Sequence, residues 1–197
     1  MATVREGRQG ALLIVDVQAG VLAGAWEAPR VVGNIVHALL SARAQGVPVI
    51  WVQHENAEMP YGSAAWQWVP QLQPADRETV IPKAYNSSFE GTTLDAVLQR
   101  LGVTHIVLAG ASSNWCIRAT AYGALERGYD LTLVQDGHTT EDIDLGHGVT
   151  VPAAGIVNDL NTTFAWLRYP GRENAAVPAR DLDFGVPRGA SGALPTR

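Results

Sequence analysis

The chain has 197 residues, 47% hydrophobic and 17% charged, the composition of one globular domain that can bury a core without cross-links and not of a disordered segment. The formal charge of -5, from 19 acidic and 14 basic side chains with no basic block, argues against a nucleic-acid partner. The opening MATVREGRQG has no apolar leader region and the longest apolar runs are strand-sized, so a soluble, cytoplasmic protein with no membrane partner is expected.

A single cysteine excludes an internal disulfide and a cysteine-based zinc site. The basic residues are lopsided, thirteen Arg against one Lys. Arg replaces Lys on most solvated surfaces but not where a compact ammonium is required, which draws attention to Lys83.

The first predicted element is GALLIVDVQ, 10–18, a continuous apolar run that reads as a buried parallel strand and carries Asp16. Residues 30–45 place Val31, Val32, Ile35, Val36, Leu39 and Leu40 near helical spacing, with Gly46 as the stop. VPVIWVQH, 47–54, is a second strand. The following stretch, with Pro60, Pro70, Pro74, Trp66 and Trp68, reads as a long loop with room for a short helix. ETVIPKAY, 78–85, is a third strand, and a helix is predicted over 92–101. VTHIVLAG, 103–110, is the fourth strand; the turn ASSN leads into a helix over 115–127 closed by Gly128. YDLTLVQD, 129–136, is the fifth strand, GHTTEDIDLGHG a polar loop, and 152–168 an amphipathic helix with Ile156, Leu160, Phe164 and Leu167 aligned.

No further strand is visible after that helix. The domain is therefore drawn over 1–170. The Pro-, Gly- and Arg-rich tail 171–197 is left open between a subunit contact and disorder. Strands alternating with helices predict an α/β fold: a three-layer αβα sandwich around a mostly parallel sheet, with no internal repeat. Such sheets hold their sites beyond the carboxyl ends of the strands. The polar residues expected there are Asp16, His54, Lys83, the turn 111–116, and Asp136 with His138.

Cys116 stands where a strand has ended and a helix begins, a place where unpaired N–H groups and a nearby cation stabilise a thiolate. The plain alternative is a small inert core residue. Asp16 closes an apolar strand, where a charge is costly without a partner; it reads equally as a structural carboxylate or as a base. Lys83, between TVIP and AYNSS, reads by itself as a solvated loop lysine. Together the three supply base, cation and thiol, the parts of covalent catalysis. The spaced glycines of a dinucleotide fingerprint are absent, and GASSNWC is not a G-x-S-x-G elbow. His54, His138 and His147 match no compact metal signature, so neither a metal nor a cofactor is expected.

ALLIVDVQ with Asp16, VIPKAYNSSFEGTTLDAVLQRLGV with Lys83, and HIVLAGASSNWCIRATAYGALERGYDLTLVQD with Cys116 resemble, in order, the isochorismatase-like cysteine hydrolase family. That family includes nicotinamidases, N-carbamoylsarcosine amidases, ureidoacrylate and biuret amidohydrolases, and isochorismatases. The resemblance covers about residues 10–168. It implies that Asp16 takes the thiol proton, Lys83 steadies the charged pair and Cys116 attacks a carbonyl carbon. It also implies a non-proline cis peptide at Ala111–Ser112 and an oxyanion hole made by the backbone N–H groups of Ser112 and Cys116.

Two branches fit less well. Nicotinamidases carry a metal-binding D-x-H after the second strand, where this chain has QHEN, with His54 and Asn56 in the matching places and no carboxylate. Siderophore-type isochorismatases generally lack the cysteine. The resemblance therefore leans toward amide, ureide or carbamoyl C–N hydrolysis through a thioester. Vinyl ether hydrolysis and a non-catalytic binding member of the same fold stand as alternatives. Expected substrate contacts are Gln18, His54, Phe89 and Trp115. Trp26, Trp51, Trp66, Trp68 and Tyr122 are further aromatic candidates for the pocket or for the core. The partners expected are a small-molecule substrate and further copies of the chain, as a dimer or tetramer.

Overall fold

The computed structural model describes residues 2–184. Six parallel strands form the central sheet: β1 (Gln9–Val15), β2 (Val49–His54), β3 (Thr79–Lys83), β4 (Val103–Ala111), β5 (Asp130–Thr139) and, at one edge, a strand near the end of the described chain. A short antiparallel pair, β6 (Ile143–Asp144) and β7 (Thr150–Val151), stands apart in the loop after β5. The edge strand is β8 (Asn174–Val177), and the sheet order is β3-β2-β1-β4-β5-β8. From β1 the chain builds outward through β2 and β3, then returns to the other side of β1 for β4. The topological switch point therefore lies between β1 and β4, the place where open α/β sheets hold their ligands.

Alternation along the strands separates two cores. Leu13 and Val15 of β1 and Ile106 and Leu108 of β4 face helices α3 (Leu94–Arg100), α4 (Arg118–Glu126) and α5 (Ala153–Trp166) through Leu98, Ala121, Leu125, Leu160 and Phe164. Leu12 and Ile14 of β1 and Val107 of β4 face the opposite layer, where α2 (Ala28–Ala44) contributes Val31, Ile35 and Leu39. Helices on both faces make the strands apolar on both sides, so they read as continuous hydrophobic runs. The three-layer α/β architecture is the one the alternation of elements predicts.

Two boundaries differ from the sequence reading. The helix predicted over 115–127 starts as a π turn, Ser113–Ile117, and becomes α-helical at Arg118. The segment after Pro170 is not structureless where it is described. β8 pairs with β5 from Leu131↔Asn174 to Val134↔Val177, and Asn174 Nδ2 donates to the carbonyls of Phe164 and Leu167 at 2.6 and 3.0 Å. The run NAAV is short and half-buried, with no alternation to mark it, so β5 and the end of α5 define it as a strand. The remainder of the tail, 185–197, lies outside the described residues.

Candidate active site

Asp16 follows β1 directly. Its backbone N–H still donates to the Val52 carbonyl at 2.9 Å, but its φ of +53° is in the left-handed region, which costs a residue with a side chain roughly 1–2 kcal/mol. The chain leaves the sheet here and the carboxylate turns across the strand ends. His54 and Lys83 close β2 and β3 as register partners. From that edge Lys83 reaches back over β2, and its Nζ meets Asp16 Oδ2 at 2.7 Å with both side chains out of contact with solvent.

The fourth group arrives from β4. Gly110 has φ +128°, and a Cβ on it would lie 1.9 Å from the Val15 carbonyl oxygen, so only glycine lets β4 close on β1 at this level. The Ala111–Ser112 peptide is cis. The π turn follows, with the Ile117 N–H on the Ser112 carbonyl at 3.1 Å and the Arg118 N–H on the Ser113 carbonyl. Cys116 sits inside this turn, and Lys83 Nζ lies 3.2 Å from its Sγ. Asp16, Lys83 and Cys116, far apart in the chain, are thus in one buried cluster.

Electrostatics run against the thiolate expected from position. Burial, and then the charge of Asp16, push the Cys116 thiol up to about 12, and Lys83 offsets only part of that. Burial also raises Asp16, with the Lys83 cation working against it. A buried thiol beside a buried carboxyl group shares its cation with it, and the 2.7 Å contact to Lys83 favours negative charge on Asp16 over the sulfur. Asp16 Oδ1 is buried without a hydrogen-bond partner of ordinary geometry among the described residues, and the Cys116 thiol and the His54 backbone are close enough to act on the carboxyl group.

His54 is brought into the cluster: its Nδ1 lies 3.1 Å from Lys83 Nζ. Burial and the Lys83 charge lower its value to about 4, so the ring is neutral. Trp115, on the π turn beside Cys116, is 57% exposed. Two expected substrate contacts are corrected. Gln18 is fully buried and its amide is spent internally: Nε2 donates to the carbonyls of His54 and Trp66, both at 2.9 Å, and Oε1 accepts the His54 N–H at 2.8 Å. Phe89 is core, its ring stacked on Tyr129, the residue just before β5, at the end of the sheet away from the thiol.

The other aromatic candidates divide. Trp51 is fully buried with Trp68 edge-on to it, and Tyr122 packs edge-on to Phe164. Trp66 pairs with the exposed Tyr61, and its carbonyl takes Gln18 and Gln53, which sets it over the ends of β1 and β2. An apolar cleft between α1 (Ala19–Leu22) and α2, lined by Leu22, Val32, Val36 and Val69, holds no ionisable side chain and is not part of this cluster.

Sequence reasoning missed one buried chain. Ser113 of the π turn bonds His138 Nδ1 at 2.8 Å, and His138 Nε2 bonds Asn161 Oδ1 of α5 at 3.1 Å. His138 was visible only as a polar residue at a strand end; its partners are 25 and 23 positions away and no spacing rule joins them. Among the described residues no group of three or more His, Cys, Asp and Glu is placed to hold a metal ion, and no helix is long and apolar enough to cross a membrane.

Comparison with known proteins places the fold in a family. Residues 10–148 match the isochorismatase domain family model, and the chain belongs to that family. It is 37% identical over 153 residues to a streptothricin hydrolase of Streptomyces noursei, a match covering 73% of this chain and 55% of that protein. The chain thus spans little more than half the length of that relative. It is 30% identical over 182 residues to an uncharacterized isochorismatase family protein of Bacillus subtilis (strain 168), covering 80% of this chain and 98% of that one. The crystal structure of an isochorismatase from Pseudomonas putida KT2440 superposes with a TM-score of 0.80 at 29% identity, covering 89% of this chain and 90% of that chain.

Proposed function

We propose that the protein is a cysteine-dependent hydrolase of a small amide, ureide or carbamoyl C–N bond, working through a thioester on Cys116. The observation that carries this reading is the position of Lys83 Nζ, 2.7 Å from Asp16 Oδ2 and 3.2 Å from Cys116 Sγ, with no solvent between the groups. A structural cysteine has no use for a buried ion pair at its sulfur, and burying that pair is costly. The hydrolase named among the relatives supports the same class.

The steps follow from the protonation state. Cys116 Sγ bonds to the carbonyl carbon as its proton passes to Asp16, whose raised affinity suits it to accept. Lys83 Nζ faces both partners and stabilises whichever carries the negative charge. The backbone N–H groups of Ser112 and Cys116 take the oxyanion. Asp16 returns the proton to the departing nitrogen, and the C–N bond breaks. Water, deprotonated by Asp16, then opens the thioester and restores the thiol. The exposed Trp115 ring, next to Cys116 in the chain, favours a planar or apolar group on the substrate.

Ammonia release from a panel of small amides and ureides, by the intact protein and by Cys116→Ala, tests this. Release abolished in the variant supports the covalent reading. Release that survives it moves the amide chemistry to Asp16 without the thiol, and no release from any compound by folded protein favours the vinyl ether reading or a binding role.

A further inference from the structure

Lys83 is surrounded by more acceptors than it has protons. A lysine ammonium carries three N–H donors and no acceptor. Four acceptors lie around Nζ: Asp16 Oδ2 at 2.7 Å, His54 Nδ1 at 3.1 Å, the Tyr85 carbonyl at 3.2 Å and Cys116 Sγ at 3.2 Å. While Cys116 is a thiol its sulfur is a weak acceptor, and the oxygen, nitrogen and carbonyl partners use all three protons. Once sulfur carries charge it becomes the stronger claimant, and one of the other three must give way.

The three are not equally able to leave. Asp16 is the counter-charge, locked at the shortest distance. The Tyr85 carbonyl is backbone, two residues along the chain from the lysine itself. His54 offers a neutral ring on a half-buried side chain, free to turn about its own bonds, while Gln18 clamps its backbone N–H and carbonyl from below. Asp16 from β1 and His54 from β2 are the titratable side chains facing the Lys83–Cys116 pair; Tyr85 contributes only its carbonyl, and its ring is 61% exposed.

We propose that His54 is a positioning residue that holds the third ammonium proton of Lys83 in the resting site and yields it to the Cys116 sulfur when the thiolate forms. The histidine thereby keeps the nucleophile protonated until a substrate is present. Nothing is oxidised or reduced; one N–H bond direction changes from nitrogen to sulfur. The inference rests on the cluster described above and extends the proposed reading.

Alkylation of the lone cysteine by iodoacetamide, followed by intact mass from about pH 6 to pH 11, follows the limb below the thiol's midpoint, where the rate tracks the thiolate fraction without any substrate and a midpoint shift displaces the whole limb along the pH axis. His54→Phe keeps the ring volume and removes the acceptor. It should free a donor for sulfur and move the alkylation midpoint down by about one pH unit, roughly tenfold more thiolate below the midpoint. His54→Asn returns an acceptor near the Nδ1 position and should bring the midpoint back toward that of the unaltered protein. Urea unfolding of each variant separates a site effect from global opening, and His54→Ala replaces the Phe variant if that one does not fold. An unchanged or higher midpoint in the acceptor-free variant overturns the proposal, as does an Asn variant that behaves like Phe. Failure of the hydrolase reading is distinct, because it is read from turnover in Cys116→Ala and not from alkylation.

Discussion

The Ser113 hydroxyl and His138 Nδ1 lie 2.8 Å apart, and this contact assigns the tautomer of a histidine that has almost no contact with solvent. Burial lowers His138 to about 4, so the ring is neutral. Its Nε2–H donates to Asn161 Oδ1 at 3.1 Å, which leaves Nδ1 to accept from Ser113. Asn161 in turn donates through Nδ2 to the Gln135 carbonyl at 2.9 Å. The first residue of the π turn is thereby fastened to β5 and α5.

That neutral imidazole makes a pH prediction. A histidine depressed in the folded state contributes stability above its unfolded value, near 6.5, and loses it as pH falls through about 4. Going from about pH 7 to about pH 5, its share of the loss is about 2 kcal/mol. Urea unfolding at the two pH values should show His138→Gln losing less stability than the unaltered protein by that amount. Equal losses would mean that the ring is not buried neutral.

Gln18 bears on the same cluster from the opposite side. Gln18→Leu removes the side-chain partner of the His54 N–H and of the His54 carbonyl, and leaves the Trp66 carbonyl with Gln53 alone. The expected cost is about 1–3 kcal/mol in urea unfolding. Because Gln18 holds His54 and does not reach the substrate, kcat should fall with KM little changed; a rise in KM alone would return Gln18 to the substrate wall.

The sole lysine should resist replacement even by arginine. Lys83→Arg brings a planar fork to a place fitted around one tetrahedral nitrogen, whose partners lie at 2.7 to 3.2 Å on different sides. Turnover should drop by about 10²–10⁴, the range a misplaced proton-transfer partner costs. Lys83→Ala leaves the Asp16 carboxylate buried without its cation and should destabilise the fold by about 3–5 kcal/mol, read in the same unfolding assay.

Gly110 tests how tightly β4 closes on β1. With φ +128° and a would-be Cβ 1.9 Å from the Val15 oxygen, Gly110→Ala must part the two strands just below Asp16 and the π turn. A loss of about 3 kcal/mol is expected from clash and backbone strain. Thermal unfolding reads the loss, and an unchanged midpoint would mean that the two strands have room for a Cβ there.

The strands and three of the chemical groups were legible because each is a local event. An apolar run that stops at Asp16, the one Lys after TVIP, and a Cys after a strand-ending turn all announce themselves within a few residues. What was not legible depends on distance and burial. The thiol is pushed up and not down because Asp16 and the surrounding core act on it, and neither is near it in sequence. Gln18 looked like a substrate donor because the carbonyls that consume its amide come from β2 and from the loop carrying Trp66. Phe89 neighbours a motif in sequence but turns toward Tyr129. β8 has no pattern of its own and is a strand only because β5 leaves an edge for it.

The switch point between β1 and β4 also divides the chemistry by origin. Asp16, His54 and Lys83, the groups gathered around the sulfur, are carried by the strands on one side of it, while the sulfur itself comes from the other side. The N-terminal half holds the charges and the C-terminal half holds the thiol. The cluster is therefore a property of the seam: until β4 has zipped along β1, Cys116 is an ordinary open thiol, and only the closed seam raises its hold on its proton and sets a carboxyl group and an ammonium beside it.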